Sequence, residues 1–239
     1  MTMDTSAPRT ARARVRAELT REILIVGRRH LAEVGAVGLS LRAVARDVGM
    51  VSSAIYRYFP SRDDLLTSLI LEAYESLADT ATAADARCRR ADLSGRWLAV
   101  CRSVRGWALA NPHEYALVYG TPVPGYVAPQ VTLEPVTRLA NVVAAILRDA
   151  SRSGRLVKSP APMAKKVRRA LDPLKKALTA ELPDEAVAGA LIGWTHLFGA
   201  VSFELFGHRH QVVEDYSVFF DFEMTQICQG FICRDVVPD

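Results

Sequence analysis

The sequence predicts an all-α protein with an N-terminal three-helix helix-turn-helix domain and a larger C-terminal helical domain. Apolar residues recur at the 3.6-residue spacing of helices along most of the 239 residues. The alternation that marks strands is missing from the sequence. Two short amphipathic segments flank Gly49, and two helices joined by a glycine turn are typical of proteins that insert a helix into the DNA major groove.

The first helix of this pair is predicted to begin after Ser40, whose side chain suits the N-cap position. Gly49 is expected to end it, because glycine readily adopts the positive φ that redirects the chain. Its apolar residues repeat at i, i+3, i+4 and i+7 and are Leu41, Val44, Ala45 and Val48. This spacing predicts a helix of about two turns with one buried face.

The second helix of the pair is predicted over residues 52–59, with Pro60 closing it. Ser61 is a natural cap for the helix that follows, and Asp63 and Asp64 in its first turn suit the helix dipole. The inward positions of the second helix are Ala54, Ile55 and Phe59. Its outward positions combine hydroxyl donors, an aromatic ring and a charge, as a base-reading surface does, and are Ser52, Ser53, Tyr56 and Arg57.

At these residues the chain resembles the TetR family of bacterial transcriptional regulators. Residues 23–35 are similar to the family's first helix, residues 41–49 to the helix that crosses the DNA backbone, and residues 52–59 to the recognition helix. One departure is that Met50 and Val51 stand where the family often has a Val-Ser pair. The resemblance implies that the recognition helix reads bases or phosphates and that flanking side chains meet the DNA backbone. The DNA-contacting residues it implies are Ser40, Arg42, Ser52, Ser53, Tyr56, Arg57, Tyr58 and Arg62.

The net charge of +4 is distributed unevenly along the chain. Residues 1–62 hold eleven arginines and five acidic residues, a net charge of +6, and the remainder holds 19 basic and 21 acidic residues, a net charge of −2. Residues 1–17 are predicted to be a flexible basic arm that adds phosphate affinity or enters the minor groove. The alternative for this arm is a disordered tail that keeps the protein soluble. Residues 18–64 then form the helix-turn-helix domain.

The remaining residues, 65–239, are predicted to form a helical domain. The proline- and glycine-rich residues 121–129 are expected to be a loop within it. A basic helix over residues 163–180, interrupted by Pro173, is expected to be a solvated surface, with a second nucleic-acid patch as the alternative. The other predicted helices cover residues 62–84, 95–110, 113–120, 132–151, 184–206 and 213–232.

The C-terminal domain resembles the WHG subtype of the same family, through Trp194, His196, Gly199 and the stretch ANPHEYALVYGTPVPGY. The resemblance implies a homodimer formed by the last two helices. Our hypothesis is a repressor that binds a palindromic double-stranded operator and is released by a small apolar or amphipathic effector. Candidate effector-binding residues are aromatic rings with a polar tip and one histidine, for which core packing is the alternative. They are Trp97, Trp107, Tyr115, Tyr119, Tyr126, Trp194 and His196.

Neither a catalytic site, a metal site nor a cofactor is predicted. The four cysteines, at positions 88, 101, 228 and 233, match no zinc or iron-sulfur spacing and are interpreted as apolar fillers, with thiol sensing as the alternative. An all-α enzyme is the rival class, but no nucleophile with its base and no phosphate loop is visible. A DNA-binding regulator without a ligand is a third possibility. Since no signal peptide and no run of 18 apolar residues is found, we expect the chain in the cytoplasm and outside the membrane.

Overall fold

The computed structural model describes residues 11–157, 163–178 and 181–232. Over these ranges the chain is helical, and its β-structure is limited to one isolated bridge between Leu156 and Ile232. The predicted all-α class is confirmed. The α-helices are α1 (Ala11–Gly38), α2 (Leu41–Val48), α3 (Arg62–Ala86), α4 (Leu93–Ala110), α5 (Pro112–Tyr119), α6 (Leu133–Arg152), α7 (Lys165–Ala170), α8 (Asp172–Ala177), α9 (Asp184–Leu205) and α10 (Tyr216–Cys228).

The described residues form two compact units. The first contains residues 11–72 together with the loop 121–129, and the second contains residues 73–120 and those from 130 onward. The predicted domain boundary after residue 64 lies inside α3, and the first unit continues for two further turns of this helix. The first unit also takes in the proline- and glycine-rich loop, where the Tyr126 hydroxyl lies 2.9 Å from the Thr67 hydroxyl.

Helix α1 begins at Ala11, so residues 11–17 are helical where a flexible arm was expected. The rest of the expected arm, including Arg9, lies outside the described residues. Alanine and arginine are among the strongest helix formers, and they dominate this segment, so that helix propensity outweighs the lack of an apolar stripe. Gly35 has φ 68° and ψ 174° and kinks the helix near its end.

Helix α2 has the predicted bounds and orientation. Leu41, Val44 and Ala45 are buried, and Gly49 adopts the left-handed conformation with φ 80°. At the start of α3, the Ser61 hydroxyl accepts a hydrogen bond from the Asp64 backbone N–H at 3.1 Å, and Asp64 accepts from the Ser61 backbone N–H at 2.9 Å. The Ser61 cap was predicted, and the reciprocal bond to Asp64 completes a capping box.

The core of the second unit surrounds α4, which contacts α6, α9 and α10. Trp97, Val100, Cys101 and Val104 of α4 are at most 1% exposed. The predicted basic helix is two short helices, α7 and α8, that meet at Leu171. Pro173 explains the break, since it has no N–H to continue α7. Helix α10 is shorter than predicted because the Asp215 side chain caps it by accepting hydrogen bonds from the N–H groups of Ser217 and Val218.

Helix α9 has the length and apolar content of a membrane-spanning helix, which the sequence reading did not anticipate. Among the described helices it is the only one that does, and 39% of its apolar window is buried inside the protein. A core helix has the same composition, and α9 contacts α4, α5 and α10.

A buried guanidinium joins three helices of the second unit. Arg96 in α4 is 0% exposed. Its Nε donates to Asp85 Oδ1 in α3 at 2.7 Å, and its Nη1 donates to Asp149 Oδ2 in α6 at 2.7 Å. Because each of its charged partners is an acid from another helix, Arg96 fixes how α3, α4 and α6 meet.

We predict that Arg96→Ala lowers the free energy of unfolding by about 3–5 kcal/mol, because Asp85 and Asp149 lose their buried counter-charge and keep only Arg90, whose side chain is 64% exposed. Urea unfolding measures the change. The control is Arg102→Ala, which removes an ion pair with Asp221 from a side chain that is 57% exposed and should cost less than about 1 kcal/mol. Equal losses in the two variants would contradict the role given to Arg96.

Candidate functional site

The segment predicted as the recognition helix is not an α-helix in the structure. Residues 52–59 form turns around a 3₁₀ helix, Ile55–Arg57. The backbone N–H groups of Arg57 and Tyr58 bond three residues back, to Ala54 and Ile55, at 3.2 and 2.9 Å. Only the N–H of Phe59 makes an α-type bond, to the Ile55 carbonyl at 3.0 Å. The prediction of an α-helix here is wrong: the segment has the i→i+3 bonding of a short 3₁₀ helix.

The side chains of this segment nevertheless point as predicted. Ile55 and Phe59 are 0% and 4% exposed and anchor the segment in the first unit. Tyr56 is 43% exposed, and Val51, next to the predicted contacts, is 72% exposed. The exposed polar residues of the segment are Ser52, Ser53, Tyr56 and Arg57. The geometry therefore presents two hydroxyls, a phenol and a guanidinium on one short surface.

Arg16 of α1 supports this surface, a role that the sequence reading missed. Its guanidinium lies 5.4 Å from the centroid of the Tyr58 ring and donates to the Arg57 carbonyl at 3.0 Å. Tyr58 is half-buried as a result. The extension of α1 across residues 11–17 places Arg16 beside this surface. In the sequence, only the alanine and arginine composition of these residues indicates that extension.

The start of α2 carries Ser40 and Arg42. Ser40 occupies the N-cap with extended backbone, φ −131° and ψ 121°, and its hydroxyl makes no capping hydrogen bond. Both side chains are exposed. This leaves a free hydroxyl, an exposed cation and uncapped backbone N–H groups at one helix start, an arrangement suited to binding a phosphate.

The Arg62 guanidinium makes its hydrogen bonds within the protein. Its Nε donates to the Leu39 carbonyl at 3.1 Å, its Nη2 donates to the carbonyls of Ala36 and Val37, and its Nη1 donates to Asp63. The guanidinium thus closes the connection between α1 and α2. Its phosphate contact stays a prediction, and its donors already have partners within the protein.

A second polar link holds α2 against α1. His30 of α1 is 7% exposed, and its Nε2 lies 2.8 Å from Asp47 Oδ2 of α2, which also accepts from Arg29 at 3.0 Å. The hydrogen bond from His30 holds the pKa of Asp47 below its usual value. No pattern of charged residues along the chain had pointed to His30.

Most of the predicted effector-binding residues use their polar side-chain atoms in hydrogen bonds within the protein. Trp97 donates to the Met224 carbonyl at 2.9 Å, Trp107 donates to Ser76 Oγ at 2.9 Å, and the Tyr115 hydroxyl lies 2.9 Å from the Phe198 carbonyl. Tyr126 belongs to the first unit. For Trp97, Trp107 and Tyr115 the structure shows the contacts that the core-packing alternative describes. Tyr126 is half-buried in the loop 121–129, and its role stays a prediction.

Tyr119 and His196 are different. The Tyr119 ring stacks on Phe198 at 4.1 Å, and its hydroxyl is buried without a hydrogen-bond partner. Burial raises the pKa of Tyr119. His196 lies on α9, and its Nε2, 3.6 Å from Glu223 Oε1, also has no hydrogen-bond partner.

An apolar cavity of about 210 Å³ lies between α6, α8 and α9 of the second unit. Trp194 is the one predicted effector-binding residue that lines it. Its ring also contacts Phe198 at 4.9 Å between centroids. The lining consists of Val136, Ala140, Val143, Ala144, Leu147, Leu174, Leu178, Val187, Ala190, Leu191 and Trp194.

An exposed apolar face runs along α9 and α10. Ile192, on α9, is 63% exposed and lies beside a surface groove that Thr195, His196 and Phe203 also line. Large apolar side chains exposed on these two helices and at the C-terminal end of α9 are Leu191, Ile192, Phe203, Phe206, Val218, Phe219 and Phe222.

The described cysteines are unpaired thiols. Cys101 and Cys228 are buried, and burial raises the pKa of both, that of Cys228 to about 11. Cys233 lies outside the described residues. Within the described part of the chain, no three histidine, cysteine or acidic side chains are grouped as a metal site would require.

Comparison with known proteins gives matches over both units. The family described as "Bacterial regulatory proteins, tetR family" matches residues 23–69, and "Tetracyclin repressor-like, C-terminal domain" matches residues 97–227. The HTH-type transcriptional regulators Rv1816 of Mycobacterium tuberculosis and Mb1846 of Mycobacterium bovis are each 38% identical to this chain in an alignment 217 residues long. The alignment covers 86% of this chain and 89% of theirs.

Solved structures show the same architecture. SCO4313, a candidate regulatory protein, has a TM-score of 0.76 at 33% identity and covers 92% of this chain and 100% of its own. A protein of unknown function from Rhodococcus sp. RHA1 has a TM-score of 0.69 at 20% identity, covering 90% of this chain and 95% of its own, and shares the fold.

We predict that Arg62→Ala destabilises the first unit by about 1–3 kcal/mol, because the carbonyls of Ala36 and Leu39 lose their donor. Amide hydrogen exchange of residues 36–42 should accelerate, and thermal unfolding followed by circular dichroism should shift downward. Arg46→Ala, on a side chain that is 77% exposed, is the control and should change neither. Unchanged exchange in Arg62→Ala would show that the carbonyl contacts do not stabilise the connection.

Proposed function

The chain belongs to the TetR family of bacterial transcriptional regulators, and we propose that it is a homodimeric repressor that binds a palindromic operator and is released by a small apolar or amphipathic molecule. One observation carries the DNA-binding part of the proposal. The exposed residues of the segment 52–57 are polar or cationic on the side opposite to the buried Ile55, in a region with a net charge of +6 over residues 1–62. We place this function in the cytoplasm.

In the proposed complex, Ser52, Ser53, Tyr56 and Arg57 face the major groove. Their exposure and the anchoring of Ile55 and Phe59 support this placement. Ser40 and Arg42 contact phosphates from the start of α2, and Tyr58 borders the backbone. Arginine is the side chain best suited to a specific contact here, since its guanidinium pairs with two acceptors of guanine.

The exposed apolar face of α9 and α10 supports the dimer. Apolar side chains clustered on a monomer surface mark an interaction site, and Ile192, Phe203 and Phe222 are each more than half exposed. A two-fold axis lets this surface cover itself and presents two recognition segments to the two halves of a palindrome. The occupant we propose for the face is therefore a second copy of the chain.

The effector part of the proposal is supported by the apolar cavity beside Trp194. An effector shifts the protein between a DNA-binding form and another form only by its difference in affinity for the two, and such couplings are typically about 1–3 kcal/mol. Release from DNA then requires that the effector bind better to the form that does not fit the operator.

The experiment that tests the regulator is selection of bound sequences from randomised duplex DNA at physiological salt. An enriched palindrome is the expected result and identifies the operator. Bulk binding that is sensitive to salt but shows no enriched sequence would contradict a sequence-specific regulator.

For the operator so identified, Arg57→Ala should weaken specific binding by about 1–3 kcal/mol, because it removes a guanidinium from the base-reading surface. Fluorescence anisotropy with the operator and with a scrambled duplex measures the effect. Affinity for the scrambled duplex should fall less, and Arg102→Ala, in the second unit, should change neither affinity. An equal loss on both duplexes would place Arg57 on a phosphate instead of a base.

Ile192→Glu is expected to convert the dimer to a monomer without unfolding it, since Ile192 is 63% exposed and a charge there opposes its own symmetry mate across a two-fold interface. Sedimentation velocity measures the oligomeric state, and operator affinity should fall with it. The matched control is Val127→Glu, at an apolar residue that is 86% exposed in the first unit. Dimers of unchanged stability in Ile192→Glu would rule out this face.

A further inference from the structure

The walls of the α6–α8–α9 cavity define the chemistry of what it can hold. Ten of its eleven lining residues are valine, alanine or leucine, and the eleventh is Trp194. Among the described residues that line it, none has a charged side chain, and the Trp194 indole N–H is the only side-chain hydrogen-bond donor. A polar group placed in such a site loses its bonds to water and gains almost none in return.

Two of the cations on α7 and α8 have acidic partners. Lys175 of α8 donates to Asp184 at 2.7 Å and lies 3.3 Å from Asp172, and Arg168 lies 3.7 Å from Asp184. These pairs connect α7 and α8 to the start of α9. Because none of the described lining residues is charged, an anionic ligand has no counter-charge in the cavity wall.

The size of the cavity sets the size of its occupant. Dry apolar cavities of about 150 Å³ bind benzene, and a volume of about 210 Å³ scales to roughly eight to ten non-hydrogen atoms.

We propose that the cavity between α6, α8 and α9 is a binding site for a neutral, apolar molecule of roughly eight to ten non-hydrogen atoms, held without a polar anchor. This narrows the effector to hydrocarbon-like rings or short chains and leaves out amphipathic molecules with a buried polar head. That the same molecule acts as the effector rests on the proposed function.

Three probes of one shape test the proposal: indane, 2-indanol and indane-2-carboxylate. Isothermal titration calorimetry of the full-length protein should give indane a dissociation constant below about 1 mM, a value attainable with nine non-hydrogen atoms. 2-Indanol should bind at least about tenfold more weakly, since its hydroxyl is buried against apolar walls. The carboxylate should not bind measurably. Equal affinity for indane and 2-indanol would contradict the proposal that the ligand is held without a polar anchor.

A variant whose larger side chain fills the cavity shows whether indane binds there. Ala190→Leu adds three carbon atoms to the α9 wall and should abolish indane binding, whereas Ala177→Leu, on the exposed side of α8, should keep it. If Ala190→Leu does not fold, Leu174→Phe fills the cavity from the α8 wall instead. Indane binding that survives a folded, filled variant would overturn the assignment.

A measurement of release from DNA separates the cavity assignment from the effector function. Fluorescence anisotropy of the same samples shows whether indane releases the protein from the operator identified by selection. Indane that binds wild-type protein but not Ala190→Leu supports the cavity assignment whether or not the operator is released. Binding without release would contradict the effector function alone. Failure of indane to bind wild-type protein would overturn the cavity assignment, even if another compound releases the DNA.

Discussion

The surface proposed to read DNA is too short to hold its own shape. The segment 52–59 contains a 3₁₀ helix of three residues, and α2 has eight residues, lengths at which isolated helices are unstable in water. Their geometry therefore depends on what lies behind them. Ile55 and Phe59 bury the segment, Arg62 closes the connection before α2, and the Asp47 carboxylate joins α2 to His30. A rigid background of this kind is what allows exposed side chains to read bases at fixed positions.

The second unit depends on side chains whose polar atoms form hydrogen bonds to neighbouring helices. Arg96, Trp97, Trp107 and Tyr115 all donate to groups on other helices, which fixes the core in one arrangement. The Tyr119 hydroxyl is an exception, and such a buried unpaired group costs about 1–3 kcal/mol. Trp194 lines the cavity and contacts Phe198, whose ring stacks on Tyr119. An occupant that displaces Trp194 therefore also disturbs the stacked rings of Phe198 and Tyr119. This movement breaks no hydrogen bond of the Tyr119 hydroxyl, because that hydroxyl makes none.

Much of the first unit follows from local sequence, because caps, glycine turns and apolar spacing act over a few residues. The bounds of α2, the Gly49 turn, the Ser61 cap and the inward direction of Ile55 were predictable on this basis. The 3₁₀ geometry was not, since i→i+3 and i→i+4 bonding give the same side-chain pattern over so few residues. The partners of Arg62 and Trp97 are 23 and 127 residues away in the chain, and only the tertiary fold brings them together.

The energetics of a neutral effector favour two sites acting together. Moving an equilibrium from 1:99 to 99:1 needs about 5.5 kcal/mol of differential affinity, which is more than the roughly 4.1 kcal/mol of a ligand that binds with a dissociation constant of 1 mM. In the proposed dimer two occupants share this requirement, at about 2.8 kcal/mol each. The α8 wall is held by partly exposed pairs such as Lys175–Asp184, each worth at most about 1 kcal/mol. The ion pairs that connect α8 to α9 therefore add little resistance to a movement of that wall.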